Sequence, residues 1–390
     1  MTPVSPPTLH SKLPHVGLTI FSVMSALATK HNAVNLGQGF PDFDCDPKLI
    51  DAVSDAMKSG HNQYPLMAGN SSLRERMSEK TQALQGVRFD PTNEITITSG
   101  ATQGILSSIL AVVRAGDEVI VLEPCYDSYI PNIELAGGIA VPVHLTHGSF
   151  EPDFDTISSA ITPKTRVIIV NTPHNPSGRT WSAEQWERLA EIIRFRDIFV
   201  LSDEVYEHMV FDGKLHVSAA KIDALRDRAF IISSFGKTLH VTGWKVGSVC
   251  APTTLTTEFR KVHQYTVFTA NSAMQQGIAT YLNDPAAYQN LPAFYQAKRD
   301  RFAAGLASTS LRLLPCEGSY FQSASYENIA AVRDLNEREC CEWMTRELGV
   351  TPIPMSAFYS SPTEQKIIRF CFAKKDDTLD LALERLEKIA

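Results

Sequence analysis

Two lysines eight positions apart in "SSFGKTLHVTGWKVG" (233–247) raise the first chemical question in this 390-residue chain. Lys237 follows an apolar, strand-like run, "AFIISS" (229–234), through the short turn Phe235-Gly236, which sets an amine at the mouth of a buried element. An ammonium with an ordinary pKa near ~10.4 is a poor nucleophile until desolvation or nearby positive charge lowers it. A lysine in an average loop is a solvated surface group. The apolar strand and small-residue turn point the other way, towards Schiff-base chemistry with an aldehyde.

Four further apolar runs end in residues that such chemistry would need. "EITIT" (94–98) leads into Ser99, Gly100, Ala101 and Thr102, ahead of the helical pattern "TQGILSSILAVVRAG" (102–116), where free amides and the positive dipole end can receive a phosphate. "EVIVLE" (118–123) leads into Pro124-Cys125-Tyr126, offering an aromatic face. "RVIIVN" (166–171) opens into "NTPHNPSG" with the Asn175 amide, and "IFVLS" (198–202) delivers Asp203, with the Tyr206 phenol one helical turn on. Each has an ordinary role as well. Small-residue turns usually bind nothing, an Asp after a strand is a helix N-cap, an Asn among prolines makes an Asx-turn, and single tyrosines are core. Taken together, a phosphate cradle, a stacking ring, hydrogen bonds for a phenolic oxygen, a carboxylate for a pyridinium nitrogen and an amine are the requirements of pyridoxal 5'-phosphate.

The elements that must position these groups alternate. Strand-length apolar runs separated by helical patterns predict an α/β fold with a mainly parallel central sheet flanked by helices, and ligands in such sheets bind beyond the strands' carboxyl ends. The last hundred or so residues change character: "YQNLPAFYQAKRDRFAAGLAS" (288–308) reads as one long amphipathic helix, followed by short strands "SYFQS" and "IIRFCFA". This predicts a large cofactor-binding domain over 46–285, and a smaller α+β domain from 286–390 together with the segment 1–45. In "IIRFCFA" the strand alternation places Arg369 between Ile367 and Cys371 on one face, so a cation interrupts an apolar strand and calls for an anion.

Composition removes other classes. Charged residues make up 20% with a net charge of −7 and no basic run, which argues against nucleic acid as a partner. No apolar run approaches the ~20 residues of a membrane span, and "MTPVSPPTLHSKLP" has neither a signal core nor an Arg-rich amphipathic pattern, so the expectation is a soluble, cytoplasmic protein. Seven cysteines without C-x-x-C spacing predict reduced packing thiols rather than disulfides or a metal site, with one of the adjacent pair Cys340 and Cys341 on a helix surface and the other buried. His174, His208 and His240 lie near these motifs and are expected to be satisfied loop or core histidines without chemistry of their own.

With these residues in view, the chain resembles a class I/II aminotransferase of pyridoxal-phosphate fold type I. The motifs "NLGQGFPDF", "NQYPLMAG", "NTPHNPSG", "SDEVYEH", "SSFGKTLHVTGWKVG" and "IIRFCFAKK" carry the resemblance, which is nearest to the branch of methionine aminotransferases and kynurenine/glutamine transaminases. It implies Lys237 as the Schiff-base lysine and proton carrier, Asp203 on the pyridine nitrogen, Asn175 and Tyr206 on the phenolic oxygen, and Tyr126 stacked on the ring. It implies phosphate contacts from Gly100, Ala101, Thr102, Ser234 and Lys245. Lys245 stands where many relatives have arginine, losing the bidentate fork but keeping the charge. Arg369 would take the substrate α-carboxylate, with the Gly39 backbone close by. Tyr64 would reach the phosphate of a neighbouring subunit, and Phe268 the partner's substrate pocket, which makes the expected unit a homodimer. Ile20, Phe21, Tyr126 and Phe268 as pocket residues favour large neutral side chains such as methionine, phenylalanine, kynurenine or glutamine. The expected reaction is ping-pong transfer of an amino group from such an amino acid to a 2-oxo acid. A β-lyase releasing a sulfur leaving group needs the same residues, and a non-catalytic regulatory module is a more distant alternative.

Overall fold

The computed structural model of the chain describes residues 8–389. Strand β1 (Val34–Asn35) precedes a seven-stranded sheet built from β2 (Ile95–Thr98), β3 (Glu118–Glu123), β4 (Ile139–His144), β5 (Thr165–Asn171), β6 (Phe199–Asp203), β7 (Ala229–Ser234) and β8 (Gly247–Cys250). Their order across the sheet is β2-β8-β7-β6-β5-β3-β4, and β8 runs against the direction of the other six. The four central parallel strands β3, β5, β6 and β7 read as nearly unbroken Val, Ile and Leu because helices cover both faces and leave no side to water.

A second, antiparallel sheet contains β9 (Arg312–Leu313), β10 (Phe321–Ser325), β12 (Ile353–Pro354) and β13 (Ile367–Cys371) in the order β12-β13-β10-β9, while β11 (Val350–Thr351) pairs in parallel with β1. One apolar cluster runs from Ile168 and Val200 in the large sheet to Ile368 and Phe370 in the small one. No helix among the described residues is long and apolar enough to cross a membrane.

The mainly parallel sheet and its flanking helices are as expected, and three local readings need correction. The predicted helix over 288–308 is two helices, Ala286–Gln289 and Leu291–Leu306, because Pro292 fits only at the start of a helix. The sequence reading missed β4 and β8. β4 is an edge strand with Pro142 and a half-exposed pattern, and β8 is a four-residue "GSVC" with little strand signature of its own. Cys340 and Cys341 are both fully buried, since the helix Glu337–Trp343 continues into a further wound turn with apolar contacts around it.

Two glycines show how closely β8 approaches the helix Gly100–Val112. A Cβ on Gly104 would lie 2.9 Å from Val249 Cγ2, and one on Gly247 would lie 2.8 Å from the Ala101 amide nitrogen. Without side chains there, the helix N-terminus drops onto the sheet edge.

Candidate active site

The carboxyl ends of β2, β5, β6 and β7 open into one cavity of about 260 Å³, roofed by β10 and β13 of the small sheet. Lys237 sits in a single helical turn, Phe235–Thr238, whose N-cap is Ser234, the last residue of β7. Its Nζ donates to Tyr320 Oη at 2.7 Å and to the Gly39 carbonyl at 3.0 Å. Burial lowers its pKa to about 8, and the Arg369 and Lys245 cations push the same way. The amine is therefore partly neutral at neutral to mildly alkaline pH.

Asp203 ends β6 and is almost wholly buried. Its Oδ2 accepts from Tyr129 Oη at 2.6 Å, yet burial still raises the carboxyl from 3.8 to about 6. A carboxylate held this way gains from any cationic N–H brought opposite it. Asn171, in register with Asp203 at the end of β5, donates through Nδ2 to the Asp203 carbonyl and accepts the Asn175 amide at 2.7 Å. The loop thus presents Asn175, whose Oδ1 accepts from Arg369 Nη1 at 2.7 Å. Tyr206 is buried with its phenol pKa pushed up by desolvation, and its ring meets Tyr320 edge-on at 5.1 Å.

At the other end, Lys245 folds back with a left-handed φ of 54° so that its ammonium faces the start of the helix Gly100–Val112. A Cβ on Gly100 would lie 3.2 Å from Lys245 Nζ. A cation aimed at the positive end of a helix is unfavourable unless an anion lies between them. Ala101, Thr102 and Ser234 line the same corner, and Tyr126 lines the cavity beside Thr102.

Arg369 is 1% exposed and caged by aromatic rings: Phe321 at 4.0 Å, Phe358 at 4.9 Å and Phe21 at 5.5 Å. Nη2 donates to the Gly37 carbonyl at 2.8 Å, while Nε has no hydrogen-bond partner among the described residues. Its pKa falls to about 10 through burial, so it stays cationic at neutral pH. A buried guanidinium with N–H donors unspent is a receptor for an anion, because an unmade bond to a charged group costs about 1–3 kcal/mol. Gly39 lies alongside, where a Cβ would come within 3.0 Å of the Phe321 ring.

The structure therefore gathers Lys237, Gly100, Ala101, Thr102, Tyr126, Asn175, Asp203, Tyr206, Ser234, Lys245, Gly39 and Arg369 around one cavity. One expected pocket residue lies elsewhere, and the two expected to reach the partner's site also lie outside this cavity. Ile20 does not line it; Phe21, the next residue of the helix Ile20–His31, does, since a helix turns successive side chains by about 100°. Tyr64 is 81% exposed and Phe268 38% exposed, and they pack edge to face on each other at 5.3 Å outside the cavity. Of the histidines, His174 pairs with Ser177 at 2.6 Å and His208 lies 3.3 Å from Lys80 Nζ, but the expectation of full satisfaction fails for His240, whose Nε2 has no partner among the described residues.

Sequence reasoning passed over Tyr129, Asn171, Tyr320 and Phe358. Asn171, a polar residue closing "RVIIVN", was a usable signal, as was Tyr129 one helical turn after Tyr126. Tyr320 and Phe358 sit in runs that read simply as core.

Residues 31–386 match the family model described as aminotransferase class I and II. The methionine aminotransferase of Escherichia coli (strain K12) is 46% identical over 380 residues, covering 97% of this chain and 98% of that protein. Kynurenine–oxoglutarate transaminase 1 of Rattus norvegicus is 33% identical, covering 93% of each. A crystal structure of an Escherichia coli protein reported with a methionine aminotransferase function superposes with a TM-score of 0.96 at 45% identity, covering 98% of this chain and all of the other.

Proposed function

The chain belongs to the class I and II aminotransferases, and from that membership we propose that it uses pyridoxal phosphate to move the amino group of a large neutral amino acid, methionine foremost, to a 2-oxo acid. The observation that carries the reading is the convergence of the desolvated Lys237 amine, the Asp203 carboxylate and the Arg369 guanidinium on one cavity. The residues fit the cofactor. Lys245 and the helix start at Gly100 call for an anion, which its phosphate supplies, and the buried Asp203 carboxylate calls for a cationic N–H, which its pyridinium supplies. When bound, pyridoxal phosphate supplies an electron sink for the pair left at the amino acid's Cα.

In this reading each side chain has one task. Lys245, Ser234 and the amides of Ala101 and Thr102 hold the phosphate. Asp203 keeps a proton on the ring nitrogen, and Tyr129 steadies Asp203. Asn175 and Tyr206 would serve the phenolic oxygen, and Tyr126 would offer its face to the ring. Arg369 binds the α-carboxylate with N–H donors that Asn175 and the Gly37 carbonyl leave free. Lys237 Nζ would take the proton from Cα, hold it and give it back, and a pKa near 8 suits it to do both.

Substrate choice follows from what surrounds the cavity. Among the described residues of this chain Lys237, Lys245 and Arg369 are the cations lining it, all three already assigned, which leaves none of them for a side-chain carboxylate, and Phe21, Tyr126 and Phe321 offer apolar contact instead. The two relatives named for methionine and kynurenine agree with a large neutral substrate.

The same reading takes residues 46–285 as the cofactor domain, with 1–45 and 286–390 as the smaller one, and the protein as cytoplasmic. It also makes the exposed Tyr64 and Phe268 pair the contribution of one subunit to the other's site in a homodimer. The deciding experiment adds L-methionine, L-phenylalanine, L-glutamine, L-kynurenine or L-aspartate singly to cofactor-loaded protein and follows the cofactor absorbance. Conversion by methionine and the aromatic donors, reversed by a 2-oxo acid, is expected. No conversion by any donor, or pyruvate and ammonia accumulating from a cysteine S-conjugate without an oxo acid consumed, overturns it.

A further inference from the structure

Tyr320 has no task in the scheme above, yet it touches the reacting nitrogen. Its side chain is fully buried, and its ring is held by Tyr206 at 5.1 Å, Tyr295 at 5.9 Å and Phe321 at 4.8 Å. A phenol has one proton to give, and Tyr320 Oη gives it to the Gly39 carbonyl at 2.6 Å. Towards Lys237 it can therefore only accept, at 2.7 Å, and the Gly39 carbonyl accepts a second bond from the same Nζ at 3.0 Å.

Gly39 is not a loose partner. The carbonyls on either side of it, Gln38 at 3.3 Å and Phe40 at 2.7 Å, accept from the buried Lys374 ammonium, and the Gly37 carbonyl accepts from Arg369. Three cations thus fix the segment 37–40, and the Tyr320 phenol closes the ring of bonds around Lys237.

We propose that Tyr320 Oη, with the Gly39 carbonyl, is the dock of the Lys237 amine whenever that amine is not bonded to cofactor, which makes Tyr320 a further catalytic residue of the aminotransfer reaction. The inference rests on the role given to Lys237 above and adds a component to it. A lysine that carries a proton from Cα must hold the proton while it is free. Two acceptors with no donor to offer stabilise the ammonium over the amine in a site where burial favours the amine.

The other groups facing Lys237 are Asp203 from β6, Lys245, Tyr206, and Arg369 and Cys371 from β13. Asp203 favours the ammonium, and Arg369 and Lys245 oppose it. None of these donates to or accepts from Nζ among the described residues, so the dock alone makes directed bonds to it.

The test uses cofactor-free protein, in which the amine is free. The rate at which an amine-directed reagent labels Lys237, read by mass spectrometry across pH, gives the midpoint of its titration. Tyr320→Phe keeps the packed ring and removes one acceptor, so the midpoint is expected to fall by at least about 0.5 pH unit. In cofactor-loaded protein the same variant is expected to lose about tenfold or more in kcat, with the KM for the amino donor unchanged within about twofold because Arg369 is untouched. A midpoint that stays within about 0.2 unit of wild type overturns the dock.

The two readings fail separately. Transamination with an unmoved midpoint sinks the dock alone. A moved midpoint in a protein that transfers no amino group sinks the proposed function, and with it the catalytic part given to Tyr320, and leaves only the dock of the amine standing. If Tyr320→Phe does not fold, a high-resolution structure of cofactor-free wild type decides: Nζ within about 3.2 Å of Tyr320 Oη supports the dock, and a separation beyond about 4 Å overturns it.

Discussion

The inner wall of the cavity and the Tyr64–Phe268 edge are built on opposite terms. On the wall Asp203, Asn175, Tyr206 and Arg369 are buried, and most of these are fixed by another residue: Tyr129 holds Asp203, Asn171 holds the Asn175 backbone, and Asn175 holds Arg369. At the edge two aromatic residues pack edge to face on each other and remain open to water. A single chain completes the first region alone, whereas the second gains its purpose from whatever covers it. Chemistry is therefore expected to fail when the wall is changed, and assembly or cofactor retention when the edge is.

The largest effect separating the two regions is expected from Lys237→Ala. Amino transfer should drop by about 10⁴-fold or more, at the upper end of what a positioned proton-transfer group contributes, while light scattering shows an unchanged assembly. An active Lys237→Ala protein would remove the wall's claim to the chemistry.

Next comes Asp203, through pH. Its folded carboxyl holds a proton up to about 6 against an ordinary value of 3.8, so folded cofactor-free protein binds more protons than unfolded protein in that window. Stability contributed by this group is present below the window and lost as pH rises through it, by about 3 kcal/mol in all. Thermal melting of cofactor-free wild type is expected to weaken between about pH 4 and pH 7 relative to Asp203→Asn, and adding pyridoxal phosphate should reduce that slope by giving the carboxylate a cationic partner. A slope identical in the two proteins would show that Asp203 does not titrate there.

Arg369→Lys keeps a cation among the phenylalanines but loses the planar fork. It should lower kcat/KM by about tenfold to a hundredfold, the worth of a charge-assisted hydrogen bond, with most of the loss in KM. A loss confined to kcat would move Arg369 from substrate binding to some other task.

The smallest effect belongs to the edge. Tyr64→Phe removes one hydroxyl from an exposed ring and should loosen cofactor retention by about threefold to tenfold, measured by dialysis, leaving the melting temperature unchanged within a few degrees. Phe268→Ala should raise the concentration at which the assembly dissociates. If both variants retain cofactor and assemble as wild type does, the edge serves neither purpose.

The sequence was most readable where one strand end delivers one group. Asp203, Lys237 and the Gly100 turn each follow an apolar run directly, so the run's period places them without knowledge of the rest. Readability fell where two distant segments must meet. Nothing near Tyr320 says that Gly39, far away in the chain, will bring a carbonyl to its hydroxyl, and Phe358 joins the cage of Arg369 only through the small sheet. Ile20 and Phe21 differ by a single helical step, finer than a pattern without a known helix phase can resolve. β8 was missed because four small residues take their strand identity from pairing with β2 and β7.

That pairing bears on how the two lysines of "SSFGKTLHVTGWKVG" tolerate change in chain length. Ser234 and Gly247 lie opposite each other in the sheet, the Phe235 amide donates to the Val246 carbonyl, and the Val241 amide closes back on Gly236. Surface connections commonly accept extra residues with little harm, since only their ends are fixed. Here Lys237 and Lys245 stand just inside the two fixed ends and face opposite corners of one cavity, so an inserted or deleted residue must displace one amine relative to the other. In an insertion scan along the whole chain, this short connection should be as unforgiving as a central strand.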